Sequence, residues 1–520
     1  MPDNTSAKNP SEIKTERVHL AKIISICVIA ALGGFLFGYD SSVINGANTA
    51  LRSYFQVGAG FMQGFMVSIA LLGCAVGAFV GGRLADRYGR KRVMVIASIM
   101  FAIGSVGTAF PFGLVAFMFW RLVGGFGIGL ASMICPMYIS EVAPAHLRGR
   151  LSSLFQFAIV TGILTTQVVN QVLIALTPKE LQSVTGDPAV PPVQANNDLW
   201  FGLQTWQWMF LCMLVPAAIY IWLVLTVPES PRYLVIKERN DDATNVLSSI
   251  YVDDVKGKVA KIEESLHGEH KPRMSDIKGP RFGLLPLVWI GIIIAVFQQF
   301  VGINAVFYYS NTIWAAVGFS TEKAFLTSTI ISAVNVISTI VAIAFIDRVG
   351  RKPLLLIGSA GMFVTLAVLT WTFLSAPMCT QELIDTTAPA GCALAADLNS
   401  PMLTGAGGWI AVIMLNTYVF FFAATWGPIM WVLLGEMFPN KIRAAALSLG
   451  VMANWIANFT VSTAFPELVK ASIGIAYGIF TVSALLSFFY VLKFIKETKG
   501  VELEDMEALE GVKSSKKRDS

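Results

Sequence analysis

Charge is scarce in this sequence. Of 520 residues only 33 are acidic and 38 basic, 14% in all, where soluble domains carry roughly 25%. A chain of this length could bury a large core, but the water-facing surface around it would need far more charge, so a soluble globular protein is excluded. Chemistry-bearing clusters are scarce too. There is no nucleotide loop, no metal-ligand spacing and no nucleophile constellation, so an enzyme, a cofactor or a bound metal finds no support. The run Gly124-Gly125-Phe126-Gly127-Ile128-Gly129 resembles a dinucleotide loop only superficially, because it lies inside an apolar stretch with no strand before it. A cleavable signal is also lacking: the polar leader 1–19 runs straight into a full-length apolar span.

Apolar residues, by contrast, make up 55% of the chain, in blocks that reach the roughly 20 residues a bilayer-crossing helix needs. Spans fall near 20–46, 61–82, 93–112, 114–139, 151–176 and 207–228, then near 284–310, 324–346, 353–376, 406–434, 444–465 and 472–495. This pattern predicts an all-α membrane protein of twelve transmembrane helices in two six-helix halves. Spans one, four, seven and ten carry polar or Gly-rich interruptions, which are tolerated where a helix lines a cavity or packs on a neighbour. Gly73, Gly77 and Gly81 recur every four residues and place small surfaces on one helix face.

Four short loops at 83–92, 140–150, 347–353 and 440–443 hold twelve Lys and Arg, against four on the other side. The bias puts those loops, both termini and the 229–281 segment in the cytoplasm. It also accounts for the net charge of +5 without a nucleic-acid partner. The expected organisation is a cytoplasmic leader 1–19, an N-terminal half 20–228, a cytoplasmic helical linker domain 229–281, a C-terminal half 282–495 and a cytoplasmic tail 496–520. A disordered linker is the alternative for 229–281.

The halves repeat each other. Asp86-Arg87-Tyr88-Gly89-Arg90-Lys91 follows span two, and Asp347-Arg348-Val349-Gly350-Arg351-Lys352 follows span eight. Glu141 and Arg148 after span four have the same spacing as Glu436 and Arg443 after span ten. Duplicated halves suit alternating access, in which two similar bundles rock about a central site.

At these residues the chain resembles the sugar porter branch of the major facilitator superfamily, over nearly its whole length. The matching segments are Gly38-Tyr39-Asp40, Gly82 through Arg90, Arg121 with Gly124-Gly125, Pro228-Glu229-Ser230-Pro231-Arg232, Gln298-Gln299 with Gly302 and Asn304, and Trp426-Gly427-Pro428. Bacterial sugar/proton symporters, such as those for D-xylose, are the most similar members. The resemblance implies the major facilitator fold. It also implies a functional monomer in the inner membrane of a bacterium, importing a monosaccharide or polyol (hexose, pentose or inositol) by alternating access with protons as partner.

Site expectations follow. Sugars are uncharged and rich in hydroxyls, and amides both donate to and accept from them, while aromatic rings pack on sugar C–H faces. Gln156, Gln298, Gln299, Asn304, Asn335 and Asn454 are amides in apolar spans; the resemblance adds Trp431 and Trp455. Helix–helix hydrogen bonding and interfacial aromatic anchoring are the respective alternatives. Asn454 stands where xylose carriers have Gln, and Ala423 stands where animal facilitators have Glu. Asp40 and Arg121 would each be costly alone in a membrane, which predicts a pair. Two readings of it stay open: a proton-coupling carboxylate, or a static pair in a facilitator. The resemblance implies that Asp86, Arg90, Glu141, Arg148, Arg150, Glu229 and Arg232 link cytoplasmic helix ends within the first half, and Asp347, Arg351, Glu436, Arg443 and Glu497 within the second, as a salt-bridge latch of the outward-facing state. Lys91 and Arg92 are expected to set topology alone. Cys379 and Cys392 share one outer loop and form either a disulfide or two free thiols. A membrane sugar sensor is a further reading, disfavoured by the roughly 25 residues after the last span.

Overall fold

The computed structural model describes residues 17–144, 147–179, 193–267, 277–279, 282–316, 319–378, 401, 403, 406–438 and 440–497. Among them, twelve helical stretches are long and apolar enough to cross a membrane. Nine are single helices: α1 (Leu20–Phe55), α2 (Phe61–Tyr88), α3 (Arg90–Ala109), α4 (Leu114–Val142), α5 (Arg148–Leu176), α13 (Thr321–Val349), α14 (Arg351–Ser375), α17 (Asn440–Ala471) and α18 (Ile473–Phe494). Three are built from two pieces: α6 (Thr205–Leu211) with α7 (Leu214–Thr226), α11 (Pro286–Phe300) with α12 (Ile303–Ala316), and α15 (Ala406–Ala424) with α16 (Trp426–Glu436).

The breaks in spans seven and ten match the interrupted apolar pattern. Gly302 turns the chain at φ +91°, a conformation that only glycine adopts freely, and Thr425 leaves helical geometry before α16. Spans one and four differ from that pattern because α1 and α4 run unbroken. Their glycines serve close approach instead. A Cβ on Gly38 would run into the Ile159 carbonyl, and one on Gly125 into that of Ala70. On α2, Gly73 and Gly77 meet the Leu122 and Phe126 carbonyls in the same way. The Gly124–Gly129 run is thus helix packing.

Between the two sets of spans lie α8 (Pro231–Ile236), α9 (Asn240–Ile250) and α10 (Val255–His267). Ser230 caps α8, with Pro231 in its first turn. α9 is amphipathic and buries Ala243, Leu247 and Ile250. The segment before α1 is tied to this unit: Val18 bridges Tyr251 in antiparallel fashion, and Arg17 pairs with Asp253 at 2.9 Å. A short hairpin, β1 (Asp198–Trp200) and β2 (Leu203–Gln204), stands in the connection before α6.

The halves meet along α1 with α12, α2 with α17, and α5 with α13. Away from the basic loops this seam is stitched by hydrogen bonds. Asn45 Nδ2 donates to Ser310 Oγ at 3.2 Å, and the Asn311 N–H donates to Asn45 Oδ1 at 3.1 Å. Asn48 Nδ2 donates to Thr312 Oγ1 at 3.2 Å, the Ser68 and Thr463 hydroxyls hydrogen-bond to each other at 2.6 Å, and Lys179 meets Glu322 at 2.8 Å.

Candidate functional site

The breaks in α11/α12 and α15/α16 bring the amides together. Gln298 and Gln299 end α11, and Asn304 begins α12 just past the Gly302 turn. Asn304 Nδ2 donates to Gln299 Oε1 at 2.6 Å. Gln299 Nε2 donates to Asn454 Oδ1 at 3.1 Å, and Asn454 Nδ2 donates to Gln298 Oε1 at 2.8 Å. Gln298 Nε2 in turn reaches the Trp426 and Gly427 carbonyls, both at 3.3 Å, at the mouth of the second break. Four amides from α11, α12 and α17 thus form one uncharged network. Gln298, Gln299 and Asn454 are buried, while Asn304 is partly open. Such groups can exchange partners with a hydroxylated ligand at little cost, since each amide both donates and accepts.

Other expected ligands sit outside this network. Gln156 on α5 and Trp431 on α16 are half-buried, and Asn335 on α13 is buried; no hydrogen bond joins them to the amide cluster among the described residues. Trp455 is 2% exposed and packs on Phe37 of α1, ring centroids 5.3 Å apart. It therefore bridges the halves and is not an interfacial anchor. Trp426 is fully buried, with Nε1 donating to Ser359 Oγ at 3.0 Å, which makes it a strut behind the break. A second polar group escaped the sequence reading. Gln167 Nε2 donates to Ser42 Oγ at 2.8 Å, and Asn45 Nδ2 faces Gln167 Oε1 at 3.4 Å. Its signal, an amide in an apolar span, is the one that singled out Gln156.

The charged pair forms as expected. Arg121 Nη1 donates to Asp40 Oδ1 at 3.0 Å, with side chains 3% and 6% exposed, and the guanidinium lies over the Phe210 ring at 5.8 Å. The contact is one-pronged: Asp40 Oδ2 and Arg121 Nε are buried with no protein partner. A buried pair held by one prong leaves a large desolvation cost only partly offset.

At the basic end the repeat builds the same device twice. Glu229 accepts from the backbone N–H groups of Arg90 and Lys91 at 2.9 and 3.2 Å. Glu497 accepts from those of Arg351 and Lys352 at 2.9 and 3.0 Å. Each carboxylate thus caps the start of a helix, where unpaired N–H groups and the dipole favour an anion. It fits only because Gly89 and Gly350, at φ +94° and +105°, have no Cβ. Arg90 also pairs with Glu141 at 2.9 Å and Asp86 at 3.4 Å. These contacts stay within one half, so they brace each bundle rather than fasten one to the other. Lys91 does more than set topology: its Nζ caps the Leu225 carbonyl at 2.8 Å, as Lys352 does that of Leu492 at 3.0 Å. Arg150 and Arg232 are exposed. The side chains of Arg148, Asp347, Glu436 and Arg443, and all of Cys379 and Cys392, lie outside the described residues.

Comparison with known proteins accords with this architecture. The family profile "Sugar (and other) transporter" matches residues 26–509. The chain is 46% identical over 500 residues to the glucose transport protein of Synechocystis sp., covering 96% of this chain and all of the relative. It is 34% identical over 519 residues to the D-xylose-proton symporter of Escherichia coli K12, covering 94% and 95%. A solved structure of the E. coli xylose transporter XylE, partially occluded and inward open, superposes with TM-score 0.72 at 33% identity, covering 93% of this chain and all of that one. Twelve apolar helices, the major facilitator fold and these relatives make the chain a multi-pass membrane transporter, not an enzyme. It belongs to the sugar transporter family.

Proposed function

We propose that the chain imports a monosaccharide or polyol across a cytoplasmic membrane by alternating access, coupled to proton entry. The amide network at the two helix breaks is the observation that carries the cargo assignment. It is uncharged, already hydrogen-bonded, and built where the bundle is least regular. An ionic substrate would find no counter-charge there, whereas a sugar hydroxyl can replace any amide partner. A hexose heads the candidates, on two supports: the 46% identical relative is named a glucose transport protein, and Asn454 is one methylene shorter than the Gln of xylose carriers. The Lys and Arg bias of the basic loops supports a cytoplasmic location for that end of the bundle. On that orientation the stitched seam around Asn45, Asn48 and Ser68 lies at the outer face, which supports an inward-facing arrangement.

Asp40 and Arg121 supply the coupling. A charged carboxylate keeps Arg121 on α1, and protonation removes that attraction and frees α1 from α4. A ligand that binds the two arrangements unequally shifts their populations by its difference in affinity. The test is uptake into proteoliposomes of hexoses, pentoses and inositol, with and without an imposed pH gradient. Uphill accumulation driven by protons, lost in Asp40→Asn with exchange retained, is expected. Downhill uptake indifferent to the gradient would replace symport with facilitated diffusion.

A further inference from the structure

Beside the ion pair lies a small cavity of about 10 Å³ lined by Ser41, Val67, Ala70, Arg121, Ile128 and Tyr308, among others. On this measure roughly 10–15 Å³ accommodates one water, and a buried water makes about three hydrogen bonds. The wall offers three partners. Ser41 Oγ and Arg121 Nε are buried without a protein partner. Tyr308 Oη accepts from Asn458 Nδ2 at 3.4 Å and has the Ser41 hydroxyl as a near neighbour, and acting as an acceptor leaves its O–H to donate into the cavity. We propose that this cavity binds a single water, accepting from Arg121 and Tyr308 and donating to Ser41, and that Ser41 and Tyr308 are positioning residues for proton coupling.

The inference rests on the symport reading and supplies what it lacks, a physical route between cargo and proton. Asp40, Ser41 and Arg121 belong to the N-terminal half, whereas Tyr308 belongs to α12, which begins at the sugar-site turn. On α17, Asn454 sits in the amide network and Asn458, one turn on, holds Tyr308. Two and three residues beyond Tyr308, Ser310 and Asn311 fasten α12 to Asn45 of α1. The Tyr308 hydroxyl therefore reports to the ion pair whether α12 is seated. A seated α12 holds the water against Arg121 Nε and so fixes the guanidinium on Asp40. A displaced α12 withdraws one of three water partners and loosens it.

The experiment compares Ser41→Ala, Ser41→Thr and Tyr308→Phe with the unaltered protein in proteoliposomes. It reads gradient-driven accumulation and gradient-free exchange of the same sugar. Expected are exchange within about twofold of the unaltered protein and accumulation reduced several-fold in Ser41→Ala and Tyr308→Phe. Ser41→Thr, which keeps the hydroxyl, should restore accumulation. Equal loss of exchange and accumulation would assign these side chains to packing and overturn the proposal. So would full accumulation in both deletion variants. If the unaltered protein does not accumulate sugar, the symport reading fails and this inference with it. If it does and Ser41→Ala matches it, only the inference fails.

Discussion

The Glu467 carboxylate accepts the backbone N–H of Phe61 at 3.0 Å, reaching from α17 in one half to the first turn of α2 in the other. Gly60, at φ +116°, makes this possible, because a Cβ there would collide with Glu467 Oε2. One turn further, a Cβ on Gly64 would run into the Thr463 carbonyl. The halves therefore touch backbone to side chain at the face away from the basic loops, and a helix N-terminus there meets an anion.

Gly60→Ala should accordingly loosen that face. The substitution strains the left-handed turn and blocks the carboxylate together. Spin labels on a Lys179→Cys/Glu322→Cys background, whose native side chains meet across the seam at 2.8 Å, should show a longer or broader distance distribution. An unchanged distribution would remove Gly60 and Glu467 from the closure.

Gln299→Ala should weaken sugar binding about tenfold. It deletes the centre of the amide network, which contacts Gln298, Asn304 and Asn454, and a hydrogen bond contributes roughly 0.5–1.5 kcal/mol. Binding measured by calorimetry on purified protein decides it; unaltered affinity would move the sugar elsewhere.

Arg121→Met should destabilise the protein more than Asp40→Asn/Arg121→Met. Breaking one side of a buried pair typically costs about 3–5 kcal/mol, while replacing both charges costs far less. Thermal unfolding in detergent of both single variants and the double variant measures this. Losses that simply add would mean that the two residues do not interact.

Glu229→Gln and Glu497→Gln should destabilise by similar amounts, up to about 2 kcal/mol each from the lost anion at a helix start. Each carboxylate caps two backbone N–H groups, Glu229 through a single oxygen and Glu497 through both of its oxygens. A large effect of one and none of the other would show that the repeated motif is not repeated in energy.

Much of the site was legible because membranes make polar residues expensive. Asp40, Arg121, Gln298, Gln299, Asn304 and Asn454 stood out as polar groups in apolar spans, and they meet in two clusters. The same rule picked out Gln156 and Asn335, which the structure leaves outside the amide network, and passed over Gln167 and Asn45. Periodicity cannot rank amides, because the partner that satisfies each one comes from a helix distant in the chain. The basic-loop charges were legible as a repeat and, through the resemblance, as links between helix ends within each half, but not as caps on backbone N–H groups.

The sequence by itself determined twelve spans, two matched halves, a basic end and a pairing of Asp40 with Arg121. Each follows from a local or compositional cost: apolar length, duplicated motif order, loop charge, and the penalty for a lone charge in lipid. Only the tertiary structure decided which spans break, that the seam is stitched on the face away from the basic loops, and that Tyr308 stands beside the ion pair. Those depend on backbone approaches, such as Gly38 on Ile159 and Gly60 beneath Glu467, between residues far apart in the chain. No pattern along a single helix carries that information.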